Sequence, residues 1–281
     1  MANIPNNQQL ISVLLEEFYQ KIERISLIPR EFSFPKIENK IKVAIGMRRS
    51  GKTYFLLQQI LNLLKEKVPK HRILYLNFED DRLLPLVTEK LASLVESFYS
   101  YYPDNHDHLC YLFFDEIQNV ENWSLVIRRL FDTKNVEIFL SGSSAKLLST
   151  EIATSLRGRS ISLEVFPFSF SEYCTAKKIN KPEKPFGKKS LDQFNPHLTD
   201  YLIHGGFPEI VSLNLPDRRQ ILRDYVNIVI ARDIVERNHL NNYTLIRYFI
   251  NTLIKNAGTT FSFNKFFNDL KSQGMSLGKS T

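Results

Sequence analysis

The apolar positions of this chain follow two periodicities that trade places along its length. Residues 9–26 carry Leu10, Val13, Leu14, Phe18, Ile22 and Ile25 at steps of three and four, which predicts one apolar stripe on a docking helix. From residue 42, short runs that are apolar nearly throughout alternate with helical patterns. The runs are "KVAIG", "RILYLNFED", "CYLFFDE", "VEIFLSG" and "SISLEV". The helical stretches between them hold Phe55, Leu56, Ile60, Leu61 and Leu64, then Trp123, Val126, Ile127 and Leu130, then Leu147, Leu148, Ile152 and Leu156. Strands of that kind are buried on both faces, so the expected fold is α/β, a parallel sheet with helices on both faces across roughly residues 40–166.

After "FPFSFSEY" the strand signals stop. Residues 190–240 read as helices, with a long amphipathic one through Ile221, Leu222, Tyr225, Val229 and Ile234, and a break at "GGFPE", residues 205–209. Two more helical patterns follow, at about 243–256 and 262–272. The Lys- and Pro-rich "KKINKPEKPFGKK", residues 177–189, reads as an exposed linker. The expected organisation is an N-terminal helix (1–34), a core (35–167), a helical lid (168–240) and a last segment (241–281).

Composition narrows the function classes only slightly. The 281 residues are 43% hydrophobic and 24% charged, ordinary for a globular protein, with a formal charge of +7 that favours an anionic partner. Two cysteines, Cys110 and Cys174, make no disulfide framework, the N-terminus lacks the blocks of a signal peptide, and no apolar run approaches the roughly 20 residues that span a bilayer. The expectation is a cytoplasmic protein that does not enter the membrane.

The sharpest chemical signal is "GMRRSGKT", Gly46 to Thr53, a GxxxxGKT placed directly after an apolar strand and before a helix. Its glycines let backbone N–H groups turn inward around phosphates. The following helix presents the positive end of its dipole, equivalent to roughly half a charge, to the anion. Lys52 would reach the β- and γ-phosphates and Thr53 would bind Mg²⁺. Gly46, Arg48, Arg49, Ser50, Gly51, Lys52, Thr53 and Tyr54 are therefore the expected nucleotide-binding residues. The "GKST" at 278–281 fails the same test, because Gly274 stands one residue too close, no strand precedes it and no helix follows.

A phosphate loop requires an acidic metal-positioning residue at the end of another buried strand. "LCYLFFDEIQNV" supplies Asp115, expected to hold Mg²⁺ through water together with Thr53, and Glu116, expected to orient and deprotonate the attacking water. The best match to a guanine-recognition NKxD is "NKPE" at 180–183, with the wrong acid, so ATP is the expected nucleotide. In "SGSS", residues 141–144, a hydroxyl is placed to touch the γ-phosphate or the water, and Ser143 is the candidate. Arg159, just before the fifth strand, is the candidate finger on a neighbouring subunit's γ-phosphate, ahead of Arg157. His106, His108 and Cys110 alternate as some metal ligands do, but a polar loop entering a buried strand explains them.

The elements "AIGMRRSGKTYFL", "LNFEDDRL", "FFDEIQNV", "FLSGSSAKLLS", "LRGRSISLEVFPFSFSEY", "LIHGGFPEIV" and "VIARDIVER" together resemble predicted AAA+-type ATPases of bacteria and archaea, in which the ATPase core is followed by a DUF4143 region. The resemblance runs from about residue 15 to the end of the chain. It implies a P-loop NTPase core, ATP binding, a helical lid and then a winged-helix segment leading into a nuclease-like fold. Here the winged-helix segment would be incomplete, ending near Thr281. Asp80, Arg82, Arg232 and Asp233 become, by the same resemblance, candidate structural or inter-subunit contacts. The expected function is Mg²⁺-dependent ATP hydrolysis coupled to a core–lid conformational change, with ATP as ligand, a homo-oligomer as assembly and a protein or nucleic acid as partner. The competing readings are a slow ATP-gated switch and a nucleic-acid-associated regulator.

Overall fold

The computed structural model describes residues 7–143, 154–181, 187–236 and 240–272. Five strands form one parallel sheet: β1 (Ile41–Gly46), β2 (Ile73–Asn77), β3 (Cys110–Asp115), β4 (Val136–Ser143) and β5 (Ser160–Glu164). Their order across the sheet is β2-β3-β4-β1-β5, and all neighbours run parallel. The register aligns Asn77 with Asp115, and Gly46 with Ser143, so the chain segments expected to carry chemistry leave the sheet along one edge.

Helices α1 (Asn7–Arg24), α2 (Lys52–Lys65), α3 (Thr88–Tyr101) and α4 (Trp123–Thr133) cover this sheet. Successive side chains of a strand point to opposite faces, and the core divides accordingly. Leu74, Leu76, Leu112, Phe114, Ile138 and Leu140 pack with the apolar faces of α3 and α4. Ile73, Tyr75, Phe113 and Phe139 pack on the other face with Phe55, Leu56 and Ile60 of α2. Phe113 and Phe139 stack across adjacent strands with ring centroids 4.4 Å apart.

The N-terminal helix is built into this core. Leu10, Ile11 and Leu15 of α1 join one cluster, Phe18 and Ile22 the other, and α1 packs against α3 and the edge strand β2. An edge strand left open offers unpaired backbone groups to other chains, and a covering helix removes that hazard. The buried stripe is phased differently from the sequence expectation, since Val13 is exposed while Ile11 and Leu15 are buried. The other edge strand, β5, also departs from a fully apolar run. Its Ser160, Ser162 and Glu164 alternate with Ile161 and Leu163 and none of the five is buried, as suits a strand with one open side.

Beyond β5 the described elements are helical. Helix α5 (Phe170–Ala176) opens on a capping box in which the Ser169 hydroxyl accepts from the Glu172 N–H and Glu172 accepts from the Ser169 N–H. Helix α6 (Lys188–His204) begins inside the stretch read as a linker, residues 182–186 of which lie outside the described residues. The expected helix through Leu147, Leu148 and Ile152 also falls on residues outside the described ones. Leu156, just beyond them, is buried.

The chain divides into two compact units, Met1–Arg219 and Gln220–Thr281. In the first, Asp200 of α6 gathers the Tyr173 hydroxyl and Arg218, which is 3.0 Å away. Helix α7 (Leu215–Ile228) runs into the second unit, where a π-helical stretch, Val229–Glu236, continues it. There follow α8 (Tyr243–Lys255), whose N-terminus Asn242 caps by accepting from the Leu245 N–H, and α9 (Phe263–Ser272). Phe249, Phe261, Phe263 and Phe266 form an aromatic cluster in this unit, with ring centroids 5.1 to 5.9 Å apart.

Candidate nucleotide-binding site

The loop between β1 and α2 closes tightly on itself. Helix α2 begins at Lys52, with Gly51 as its cap at a φ of 99°, a conformation that side chains disfavour. A Cβ at Gly46 would stand 2.4 Å from the Val165 carbonyl oxygen, so only glycine lets the strand leave the sheet past the end of β5. Arg49 also sits at positive φ, 64°. Its guanidinium points outward and pairs with Glu209 of the "GGFPE" segment at 3.3 Å. Tyr54 is exposed and Thr53 half-buried in the first turn of α2.

Lys52 is almost wholly buried, 4% exposed, and its ammonium donates to the Met47 carbonyl at 3.0 Å. It stands 3.9 Å from the Glu116 carboxylate. Burial pulls the lysine below its ordinary range, against the opposing pull of Glu116 and Asp115. Burial likewise pushes the Glu116 carboxyl above the ordinary carboxylate range, against Lys52. Glu116 takes a left-handed backbone conformation, φ 53°, directly after β3, and the Gln118 amide donates to its carboxylate. The two groups therefore face each other with little solvation, which is where a cation for phosphates and a proton acceptor for water are wanted.

Asp115 is fully buried at the end of β3. One of its oxygens accepts from the Tyr75 hydroxyl at 2.9 Å and the other from the Ser141 hydroxyl. Ser141 also accepts from the Glu116 N–H at 3.0 Å, so a single serine on β4 holds both acidic residues of β3's end in place. Burial, then Asp115, drives the Tyr75 phenol well above its ordinary range, which keeps it protonated as a donor. Tyr75 and Ser141 were missed as site residues by sequence reasoning. The side chain of Ser143, the serine favoured in that stretch, lies outside the described residues, although its backbone pairs with Gly46 in the sheet.

Arg159 lies away from this constellation. It precedes Ser160, the residue that pairs with Ile41 at the start of β1, whereas the phosphate loop follows the other end of that strand. Its carbonyl accepts from the Ile41 N–H, and its guanidinium forks onto Asp132 at 2.9 and 3.2 Å. Arg82 forks onto Glu17 at 2.9 and 2.8 Å and is braced by Asp80, so Arg82 ties the segment after β2 to α1. The side chains of Arg232 and Asp233 lie outside the described residues. Cys110 is buried at the start of β3, and the His108 ring lies 2.8 Å from the Asp104 carbonyl oxygen.

The residues at the loop suit a polyanion. The Ser50 hydroxyl is buried without a hydrogen-bond partner, and a buried unsatisfied donor beside a cation is a group waiting for an acceptor. Thr53 and Asp115 stand at the start of α2 and the end of β3, the elements that flank the Lys52–Glu116 pair, and so fit a Mg²⁺-holding role.

Comparison with known proteins agrees with this geometry for the core. Residues 38–174 match the AAA domain family, and residues 195–277 match a different family, a domain of unknown function, DUF8612. The second match corrects the expectation of a DUF4143 region. The chain is 38% identical over 250 residues to the uncharacterized protein MJ1544 of Methanocaldococcus jannaschii, covering 89% of this chain and 54% of that protein. It is 31% identical over 242 residues to an uncharacterized protein of Haemophilus influenzae, covering 83% of this chain and 56% of that protein. The chain thus spans about half the length of these relatives. Among solved structures, Saccharomyces cerevisiae RIF2 aligns with a TM-score of 0.34 at 18% identity, over 71% of this chain and 78% of that one, too slight a likeness to carry an argument. Among the described residues no helix is long and apolar enough to cross a membrane. Over residues 38–174, what this chain resembles is an AAA domain, built on a five-stranded parallel sheet of the P-loop NTPase kind.

Proposed function

We propose that the chain binds ATP with Mg²⁺ at the Gly46–Thr53 loop and hydrolyses it. The observation that carries this reading is the buried Lys52 facing Glu116 at 3.9 Å, at the sheet edge where the loop passes into α2. In open α/β sheets, ligands bind outside the carboxyl ends of the strands, and the start of a helix there favours phosphate.

In this reading Lys52 leaves the Met47 carbonyl for the phosphates, and the Ser50 hydroxyl gains its missing acceptor. Thr53 and Asp115 hold Mg²⁺, which when bound neutralises charge on the phosphate oxygens. Glu116 takes the proton of the attacking water as the bond from the γ-phosphorus to the ADP oxygen breaks. Tyr75 and Ser141 fix Asp115, and the Ser141 oxygen fixes the backbone of Glu116, so the base is oriented before water arrives. In a homo-oligomer, Arg159 would exchange Asp132 for a neighbour's γ-phosphate. The energy would then move the helical segment after β5 and pass to a protein or nucleic-acid partner.

The test is phosphate release from MgATP. Wild-type protein should turn over, and Glu116→Gln should keep ATP yet lose release, since the amide cannot take the proton. Release at the parent rate by that variant would move the base elsewhere, and no nucleotide binding by the wild type would remove the reading altogether.

A further inference from the structure

Behind the phosphate loop lies a charged residue that the site described so far leaves unused. Arg30, only 7% exposed, sits in the segment between α1 and β1. Its backbone is pinned to α2: the Arg30 N–H donates to the Gln58 side chain at 2.7 Å, and Gln58 donates back to the Arg30 carbonyl at 3.2 Å. Its guanidinium spreads over three other elements. Nη1 donates to the Ser50 carbonyl at 3.1 Å, Nη2 to the Phe166 carbonyl at 2.7 Å, and Nε to Glu172 of α5 at 2.9 Å. The Phe32 and Phe168 rings lie 4.8 and 5.2 Å from its central carbon.

Two of these contacts have consequences for the loop. In a planar trans peptide the carbonyl and the following N–H point in opposite directions. Drawing the Ser50 carbonyl back toward Arg30 therefore turns the Gly51 N–H away from Arg30. A Cβ at Gly51 would lie 3.3 Å from Nη1, which puts the guanidinium in contact with the loop at that peptide. At the other end, the Glu172 oxygen that receives Nε also accepts from the Glu31 N–H at 2.9 Å, while its second oxygen closes the capping box of α5. The orientation of one loop peptide and the first turn of α5 thus depend on the same guanidinium.

We propose that Arg30 is a positioning residue for the nucleotide: it aims the Gly51 amide at the phosphates and, through Glu172, links occupancy of the loop to the order of α5. This rests on the nucleotide reading above. Arg30 touches no substrate in this account and acts through Ser50 and Glu172.

The experiment compares wild type, Arg30→Lys and Glu172→Gln, each titrated with MgATP by calorimetry and followed by hydrogen exchange over residues 169–176 with and without nucleotide. Lysine keeps the charge but lacks the planar fork that serves several acceptors at once. Wild type should gain protection over 169–176 when MgATP binds. Arg30→Lys should bind about tenfold more weakly, the size of losing a charge-assisted hydrogen bond, and should lose that nucleotide-dependent gain. Glu172→Gln should lose the gain with a smaller change in affinity; if Arg30→Lys does not fold, this variant alone decides. A drop in thermal stability with parental affinity and parental nucleotide-dependent protection would make Arg30 merely structural and overturn the inference, leaving the nucleotide reading intact. Absence of MgATP binding by wild type would overturn both.

Discussion

The two ends of the parallel sheet treat charge in opposite ways. At the end where β1, β3 and β4 deliver Gly46, Asp115 and Ser143, two charged side chains are withdrawn from water: Lys52 is 4% exposed and Asp115 fully buried. At the end where β1 and β5 begin, the pair between Arg159 and Asp132 remains in contact with solvent, with side chains 36% and 47% exposed. Removing an ion from water costs several kcal/mol even after relaxation, whereas an exposed pair contributes about 0–1 kcal/mol. A fold keeps the first arrangement where hydrogen bonds or a ligand compensate it, and the shifted ionisation of Lys52 and Glu116 is of the kind that gathers at functional sites. The contrast is the one expected if the proposed nucleotide chemistry takes place at the first end of the sheet.

The largest effect that would break this contrast is at Glu116. Its replacement by Gln should lower phosphate release by about 10²- to 10⁴-fold, the range of general-base catalysis, with ATP affinity retained. The pH profile sharpens the same point. As the proposed base Glu116 would work ionised, and burial raises its pKa, so release should fall on the acid side at a higher pH than an ordinary glutamate would dictate. A stopped assay across pH that found the acid limb at or below the ordinary carboxylate range would contradict the burial argument.

Next in size is Ser141. Ser141→Ala removes the donor to one oxygen of the buried Asp115 and the acceptor of the part-buried Glu116 N–H, and should destabilise the fold by about 1–3 kcal/mol in urea titration. Release should fall as well, because the backbone of the base loses its anchor. Unchanged stability would mean that the Tyr75–Asp115–Ser141 chain contributes nothing.

The smallest effect on stability and on ATP affinity belongs to the opposite end. Arg159→Ala should shift unfolding by less than about 1 kcal/mol and leave ATP affinity as it was. If it acts on a neighbour's nucleotide, the variant should lose release only at concentrations where subunits associate, and mixing it with Glu116→Gln should restore part of the activity. Full activity of Arg159→Ala at every concentration would leave it as the surface partner of Asp132.

What was legible in the sequence was local. The loop, its strand and its helix occupy one continuous stretch, and Asp115–Glu116 follow a run of buried apolar residues, so spacing alone places them. The five strands were legible for the same reason, down to runs that begin and end within a few residues of those observed. The supports were not legible, because they cross long distances in sequence. Tyr75 meets Asp115 forty residues away, and Arg30 meets Glu172 across 142. No periodicity encodes such a pair before the strand order is known. Within "SGSS" the sequence offered three serines, and it is the register of β4 on β3, pairing Phe114 with Leu140, that sets Ser141 level with Asp115. The phase of α1 was misread because its stripe serves both faces of the sheet, so Ile11 and Leu15 are buried beside positions that looked equally apolar.

Whether the Gly46–Thr53 loop is a nucleotide site is decided by calorimetric titration of MgATP into wild type and Lys52→Ala side by side. Lys52 is the buried cation that faces Glu116, and its removal leaves Glu116 without that counter-charge while taking away the group proposed for the phosphates. Wild type should show saturable one-site binding and the variant a loss of about a hundredfold or more, the scale of breaking a buried charge pair. Equal affinity in the two proteins would contradict it.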